Sequence, residues 1–307
     1  MGLLGRTAGH IKRRVMHVVN RPNLCSLLRN LGFRFAQVRI GKIKLWVDLE
    51  DGLGQYVFIH RRYEAFETSL IEQIARPGMT VVDIGANIGY YTLILASRVG
   101  KMGKVYAIEP EPTNMMLLQR NIQLNRLSNV VCEQTAVLDY EGQVTLYLSD
   151  INHGDHRVFD AADDDRFNAG TPRNQISVRT IVLDRYLANV GAQADLVKMD
   201  IQGAEMLALG GMVNTLSNPN LVLFCEFWPY ALRQTHNEPS KFLESLKQLG
   251  FEIFEIIEAN QTVIPVNPVE LANRFADPDY ADLICVQRAR VNNIPFLSAA
   301  SGNAPAN

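Results

Sequence analysis

Val81-Val82-Asp83-Ile84-Gly85-Ala86-Asn87-Ile88-Gly89 is the stretch on which the fold of this 307-residue chain turns. Its β-branched residues make a short buried strand with an acid near the carboxyl end, and two glycines four apart let the backbone turn closely against a ligand. Residues 90–99 read as the following helix, stopped by Gly100. A second strand over 104–109 ends in Glu109, twenty residues after Gly89, placed to accept hydrogen bonds from two ribose hydroxyls. In open α/β sheets a nucleotide-like ligand lies outside such strand ends.

Working outward, the rhythm of short apolar strands and longer helices continues. A helix over 113–126 and a strand over 129–134 come next, and extended segments at 143–148 and 176–180 flank a polar stretch over 149–173. That stretch is long for a structureless connection, and such loops commonly bind or cover ligands. Strands follow over 194–200, 220–226, 251–257 and 282–287, with helices over 204–209 and 239–249. The pattern predicts an α/β, Rossmann-like fold with helices on both faces of a mostly parallel sheet. Small and polar residues after Arg290 predict a frayed tail over 291–307.

With 47% hydrophobic residues the chain can bury a substantial core. Its formal charge of −2 hides an asymmetry: residues 1–47 hold ten Lys or Arg and no acid, so the remaining 260 carry a net −12. We therefore expect a basic element over 1–45, partly helical, and a catalytic domain over 46–290. Basic and apolar residues mix between 9 and 39, a pattern that fits packing on the acidic domain, a protein contact, or a weak contact with anionic membrane. The oligomeric state stays open. Four widely spaced cysteines give no disulfide or zinc pattern. The beginning of the chain lacks a signal-peptide apolar block, Arg6 stands where a myristoylation signal needs Ser or Thr, and a cytoplasmic location is the expectation.

The glycine spacing decides between two ligands. A dinucleotide fingerprint reads G-x-G-x-x-G, whereas here Asn87 holds the middle position and Tyr90-Tyr91 crowd the helix start. The D-x-G-x-x-x-G turn with a second strand-end acid instead suits S-adenosylmethionine, whose ammonium and ribose both seek acceptors. These residues resemble the FkbM family of class I S-adenosylmethionine-dependent methyltransferases. The likeness runs through Tyr63-Glu64, the D-I-G-A-N-I-G-Y-Y-T block from Asp83 to Thr92, Glu109-Pro110, Asn121, Asn125, Asn129-Val130, Ala136-Val137, Thr180 to Asp184, and Lys198 to Glu205. Gln202 departs from it, since the family usually places an acid there.

The resemblance implies a seven-stranded sheet in the order 3-2-1-4-5-7-6 and methyl transfer to a hydroxyl of a sugar, glycan, glycolipid or polyketide-type metabolite. It puts Asp83, Gly85, Asn87 and Gly89 around the methionine moiety, Glu109 on the ribose, Gln134 and Thr135 at the adenine, and Asp200 facing the methyl. A hydroxyl acceptor must lose its proton, which calls for a His or a carboxylate of raised pKa. Asp200, Glu226, His153 and His156 are the expected catalytic groups, with Glu205, Asp150 and Asp155 as further candidates. Glu205 could instead pair with Lys198 or cap its helix, and Phe227-Trp228-Pro229-Tyr230 could form a sugar-binding wall. No metal-ligand set is assigned.

Two alternatives stay open. An N-methyltransferase or nucleic-acid methyltransferase would need a (D/N)-P-P-Y-type turn or a cysteine after the fourth strand, where this chain has Asp200-Ile201-Gln202-Gly203, so no nucleic acid is expected. A non-catalytic cofactor-binding protein would show broken motifs, and none is visible.

Overall fold

The computed structural model describes residues 21–150, 152–160, 173–274 and 279–302. Its strands are β1 (Phe35–Ile40), β2 (Ile43–Asp48), β3 (Thr80–Ile84), β4 (Lys104–Ile108), β5 (Val130–Glu133), β6 (Ala136–Val137), β7 (Gly142–Tyr147) and β8 (Gln175–Ile181) in the first part of the chain. They continue as β9 (Leu196–Met199), β10 (Val222–Phe227), β11 (Phe251–Ile257), β12 (Thr262–Pro265) and β13 (Ala281–Gln287).

Every residue of β9 and β10 is buried, as are the last four of β3, because central parallel strands are covered on both faces. The main sheet runs β12-β11-β13-β10-β9-β3-β4-β5. Its strands pair in parallel from β10 through β9, β3 and β4 to β5, and β13 runs antiparallel between β10 and β11. The sheet thus has eight strands instead of seven. The extra one, β12, forms an antiparallel hairpin with β11 at the edge. A separate small sheet, β6-β8-β7, stands beside the main one.

Two apolar layers cover the main sheet. Leu93, Leu95 and Leu117 lie in one, and Leu187, Leu216, Phe242 and Leu246 in the other. Each such side chain stabilises the fold by roughly 1.5–3 kcal/mol when fully buried.

The expected border at residue 45 is not a border in the structure. The β1–β2 hairpin straddles it, and Val38, Ile43, Leu45 and Val47 are buried in the same layer as Leu93. What holds the hairpin is an asparagine clip on the helix Pro112–Asn125. Asn121 accepts the Trp46 N–H through Oδ1 at 2.6 Å and donates through Nδ2 to the carbonyls of Trp46 and Ile88, at 3.1 and 2.8 Å. Asn125 accepts the Lys44 N–H and donates back to its carbonyl. Side-chain amides thus complete the hydrogen bonding of β2 where no third strand is present. The basic residues between 9 and 20 lie outside the described residues.

The tail expected over 291–307 is likewise largely folded. A 3-10 turn, Arg288–Asn293, leads into the helix Pro295–Ala300, whose Leu297 is wholly buried beside Val291 and Ile294. Small residues predominate there, but one apolar residue per turn suffices to dock a short helix. Leu297→Ala should cost at least about 2 kcal/mol of unfolding free energy in chemical denaturation, whereas a frayed tail would show no change. Residues 303–307 lie outside the described residues. Among the described residues, no helix is long and apolar enough to cross a membrane.

Candidate active site

Glycine is required where β3 turns into its helix. Gly85, at φ +80°, passes so near the end of β9 that a Cβ there would lie 2.0 Å from the carbonyl oxygen of Asp200. Gly89, at φ +93°, would bring a Cβ to 2.6 Å from the end of the Leu118 side chain, and it does not line the cavities described below. Between them, Asn87 takes φ 49° and donates its backbone N–H to Glu109 Oε2 at 2.8 Å. The Glu111 N–H reaches Glu109 Oε1 at 2.9 Å. Burial pushes the Glu109 carboxyl up to about 7 against the pull of these backbone bonds. The strand-end acid is thereby locked to the glycine turn.

Asp83 is 1% exposed. Thr92 donates its hydroxyl to Asp83 Oδ2 at 2.5 Å, but Oδ1 is buried with no hydrogen-bond partner among the described residues. A buried carboxylate oxygen without a donor is costly unless a ligand supplies one. Asp83 lines a cavity of about 660 Å³. An ammonium group entering there would donate to Oδ1, so this acceptor fits the amino-acid end of S-adenosylmethionine.

The walls of this cavity define what else it accepts. Tyr56, Tyr63, Tyr90, Tyr91, Tyr280 and Trp228 supply aromatic surface, and Glu64, Asp83, Asp155, Asp200, Glu226 and Asp279 supply carboxylates. Tyr63-Glu64 and Tyr90-Tyr91 interlock, because Tyr91 donates its hydroxyl to Glu64 Oε2 at 2.6 Å and Tyr90 donates to the Tyr63 carbonyl at 3.1 Å. Among the described lining residues Lys198 is the one Lys or Arg. Its Nζ lies 3.3 Å from Asp200 Oδ2 and 4.7 Å from the centre of the Tyr91 ring. Burial works against its charge, but Asp200, Glu67, Glu64 and Asp83 outweigh it and push the lysine up.

Gln202 sits at φ 52° and donates its amide to two carboxylates, Asp200 Oδ1 at 2.9 Å and Glu226 Oε2 at 3.2 Å. Glu226 is 8% exposed. Burial, then Asp200, Glu205 and Asp282, raise its carboxyl well above the ordinary range. Among the described non-glycine residues seven have positive φ, and three of them, Glu64, Asn87 and Gln202, line this one cavity. Strained backbone gathers at functional sites.

A smaller cavity opens on the other side of the turn, lined by Glu109, Asn114, Thr135, Ala136, His153 and His156. Asp200 lines both cavities and marks their junction. Thr135 is wholly buried there, with its hydroxyl donated to the Arg179 carbonyl at 2.7 Å. Gln134 is exposed and lines neither cavity, since neighbouring residues of an extended chain face opposite ways. His153 and His156 share the smaller cavity with Asp200, and neither lines the larger one with Glu226. Asp150 is exposed outside both cavities, and Asp155 is held between Arg157 at 2.6 Å and Arg173 at 2.7 Å.

Glu205 proves to be a turn-closing residue: it accepts the N–H groups of Ile201 and Gly203, at 3.1 and 2.8 Å, and Lys198 pairs with Asp200 instead. Of the aromatic run that begins at the last residue of β10, Phe227 is core, Trp228 lines the larger cavity, and Tyr230 packs with Trp228 and Phe159. Sequence reasoning missed Asp51, which accepts the His153 backbone N–H through Oδ1 at 2.7 Å, as well as Asn114 and the Gln202 bridge. Local pattern carries no signal for such long-range partners.

Crowded acids have a consequence for stability. Glu109 and Glu205 are pushed up to about 7 and Asp282 to about 8, each by burial first. Their folded-state pKa values lie above the unfolded ones, so between those limits the folded state binds more protons and stability falls as pH rises. His156, pushed down to about 4 by burial, opposes this only in the first part of the window, where the unfolded imidazole still binds part of a proton, and its single contribution is outweighed by the three acids. Thermal melts of the ligand-free protein should give a lower Tm at about pH 8.5 than at about pH 6.5. A rise over that window would contradict the burial of these acids.

Sheet order, glycine turn and paired strand-end acids together define a class I S-adenosylmethionine-dependent methyltransferase fold. The profile described as Methyltransferase FkbM domain matches residues 83–253, more than half of the chain, and the chain belongs to that family. Among curated proteins it is similar to Methyltransferase 1 of Beauveria bassiana (strain ARSEF 2860), at 29% identity over 146 residues, 43% of this chain and 57% of that protein. It is also similar to the tRNA(Phe) (4-demethylwyosine(37)-C(7)) aminocarboxypropyltransferase of Methanocaldococcus jannaschii, at 47% identity over 58 residues, 19% of this chain and 23% of that protein. The chain thus spans 57% or less of these relatives' lengths. Among solved structures, Methyltransferase FkbM from Methylobacillus flagellatus KT shares 16% identity over 75% of this chain and 52% of that chain, with a TM-score of 0.40.

Proposed function

We propose that the protein is an S-adenosylmethionine-dependent O-methyltransferase acting on a hydroxyl of a sugar, glycan, glycolipid or polyketide-type metabolite. The observation that carries this reading is the larger cavity, where an aromatic wall and hydrogen-bond acceptors adjoin the buried acid Asp83. Ring faces cover the apolar side of a polyhydroxylated acceptor, and carboxylates accept its hydroxyl protons. When bound, S-adenosylmethionine supplies an electrophilic methyl group. Asp83, Gly85, Asn87, Glu109 and Thr135 would hold it, with Asp200 between its two halves.

The chain's own task is then to orient the acceptor, exclude water and take one proton. Glu226 is the group suited to the last step, because its raised affinity for protons matches that of a useful base. Gln202 positions Glu226 and Asp200 together, and Lys198 fixes Asp200 from the other side. The tyrosine wall and the loop at 152–160 limit the access of water.

A nucleic-acid acceptor is the competing reading, favoured by the name of the Methanocaldococcus relative. The six carboxylates of the cavity speak against it, since a phosphate backbone is held by Lys and Arg. Incubation of purified protein with methyl-labelled cofactor and two acceptor panels, glycans with glycolipids and tRNA with rRNA, separates the two. Label in the first panel supports the proposal. Label confined to RNA overturns it.

A further inference from the structure

The polar loop over 152–160 carries an unused donor. His156 Nδ1 accepts the Ser149 backbone N–H at 3.1 Å, which leaves the ring proton on Nε2. That Nε2 is buried and has no hydrogen-bond partner among the described residues. Asn114, 1% exposed, lines the same small cavity and donates Nδ2 to the His153 carbonyl at 3.0 Å, so its buried Oδ1 is an unused acceptor. Ile108, Ala136, Val137, Leu146 and Val158 make the rest of the wall largely apolar. An apolar slot offering one donor and one acceptor matches a purine base with an exocyclic amine, whose ring nitrogen accepts and whose amine donates.

Resting on the methyltransferase reading above, we propose that the 152–160 loop is a base-reading clamp: His156 donates Nε2–H to adenine N1 of the cofactor, and Asn114 Oδ1 accepts from the same nucleoside. Burial keeps His156 neutral, which suits a fixed donor better than a base. The clamp is tied down at His153, whose carbonyl also accepts Asn87 Nδ2 at 3.3 Å and whose N–H donates to Asp51. On the same loop Asn152, Gly154 and Asp155 line the larger cavity. Seating the adenine therefore braces one wall of the larger cavity.

The test is isothermal titration calorimetry of the full chain with S-adenosylhomocysteine and with S-inosylhomocysteine, in which N1 carries a proton and the amine is a carbonyl. The wild-type protein should prefer the adenosyl compound by about ten- to a hundred-fold, since a site built for one hydrogen-bond pattern rejects its inverse. His156→Ala should collapse that preference, and His156→Gln, which retains an N–H donor, should restore part of it. Thermal melts establish that each variant is folded. An unmoved preference in folded His156→Ala, or none in the wild type, overturns this inference alone. A wild-type protein that binds neither compound overturns the methyltransferase reading and this inference with it.

Discussion

Glu226→Gln should lower kcat by about 10²–10⁴-fold, the usual contribution of a positioned base, while the dissociation constant for S-adenosylhomocysteine stays within about twofold. The glutamine keeps the shape of the side chain and its contact with Gln202, so what is removed is the capacity to take a proton. Because burial and the neighbouring acids raise this carboxyl, the wild-type rate should keep climbing with pH beyond the ordinary carboxylate range. The variant should lack that climb. Asp200, ion-paired with Lys198 and bridged to Glu226 by Gln202, is the internal comparison. If Asp200→Asn loses more activity than Glu226→Gln and flattens the pH profile, the proton goes to Asp200 instead.

Asp83→Asn should weaken S-adenosylhomocysteine binding by about a hundred-fold or more, the order expected when one partner of a buried charge pair is removed. The same change should leave the ligand-free protein at least as stable. Thr92 can still donate to the asparagine carbonyl, and the substitution removes a buried carboxylate whose Oδ1 has no partner among the described residues. Most substitutions at a fully buried polar residue destabilise, so lost binding with an undiminished Tm is a distinctive pair of results. Retained affinity, measured by calorimetry, would show that Asp83 does not face the cofactor.

The places of Asp83, Gly85 and Glu109 at the strand ends and the turn are legible in the sequence because local chemistry fixes them: a β-branched run, a backbone that only glycine can follow, and an acid one strand later. The helix Tyr90–Val99 falls where its bordering glycines place it. The N-terminal hairpin has a basic composition that suggests separateness, while its attachment depends on Asn121 and Asn125, some 75 to 81 residues away. Gln134 and Thr135 differ by one position along an extended segment, and the side facing inward is decided by tertiary packing. The two histidines read as candidate bases from their neighbours in sequence. Their neighbours in space, Glu109, Asn114 and Thr135, line the smaller cavity with them, apart from Glu226.

The asparagine clip has an optical consequence. The chain has two tryptophans. Trp46 lies under the Arg120 guanidinium, 3.9 Å from its ring centre, and is bonded through its backbone to Asn121, which also holds Ile88 in the glycine turn. Trp228 lines the larger cavity. Intrinsic fluorescence should therefore carry two separable signals. Substituting Phe at Trp228 leaves an indole reporting on the glycine turn, and substituting Phe at Trp46 leaves one reporting on the larger cavity, so ligand arrival at each can be followed in stopped flow without a label.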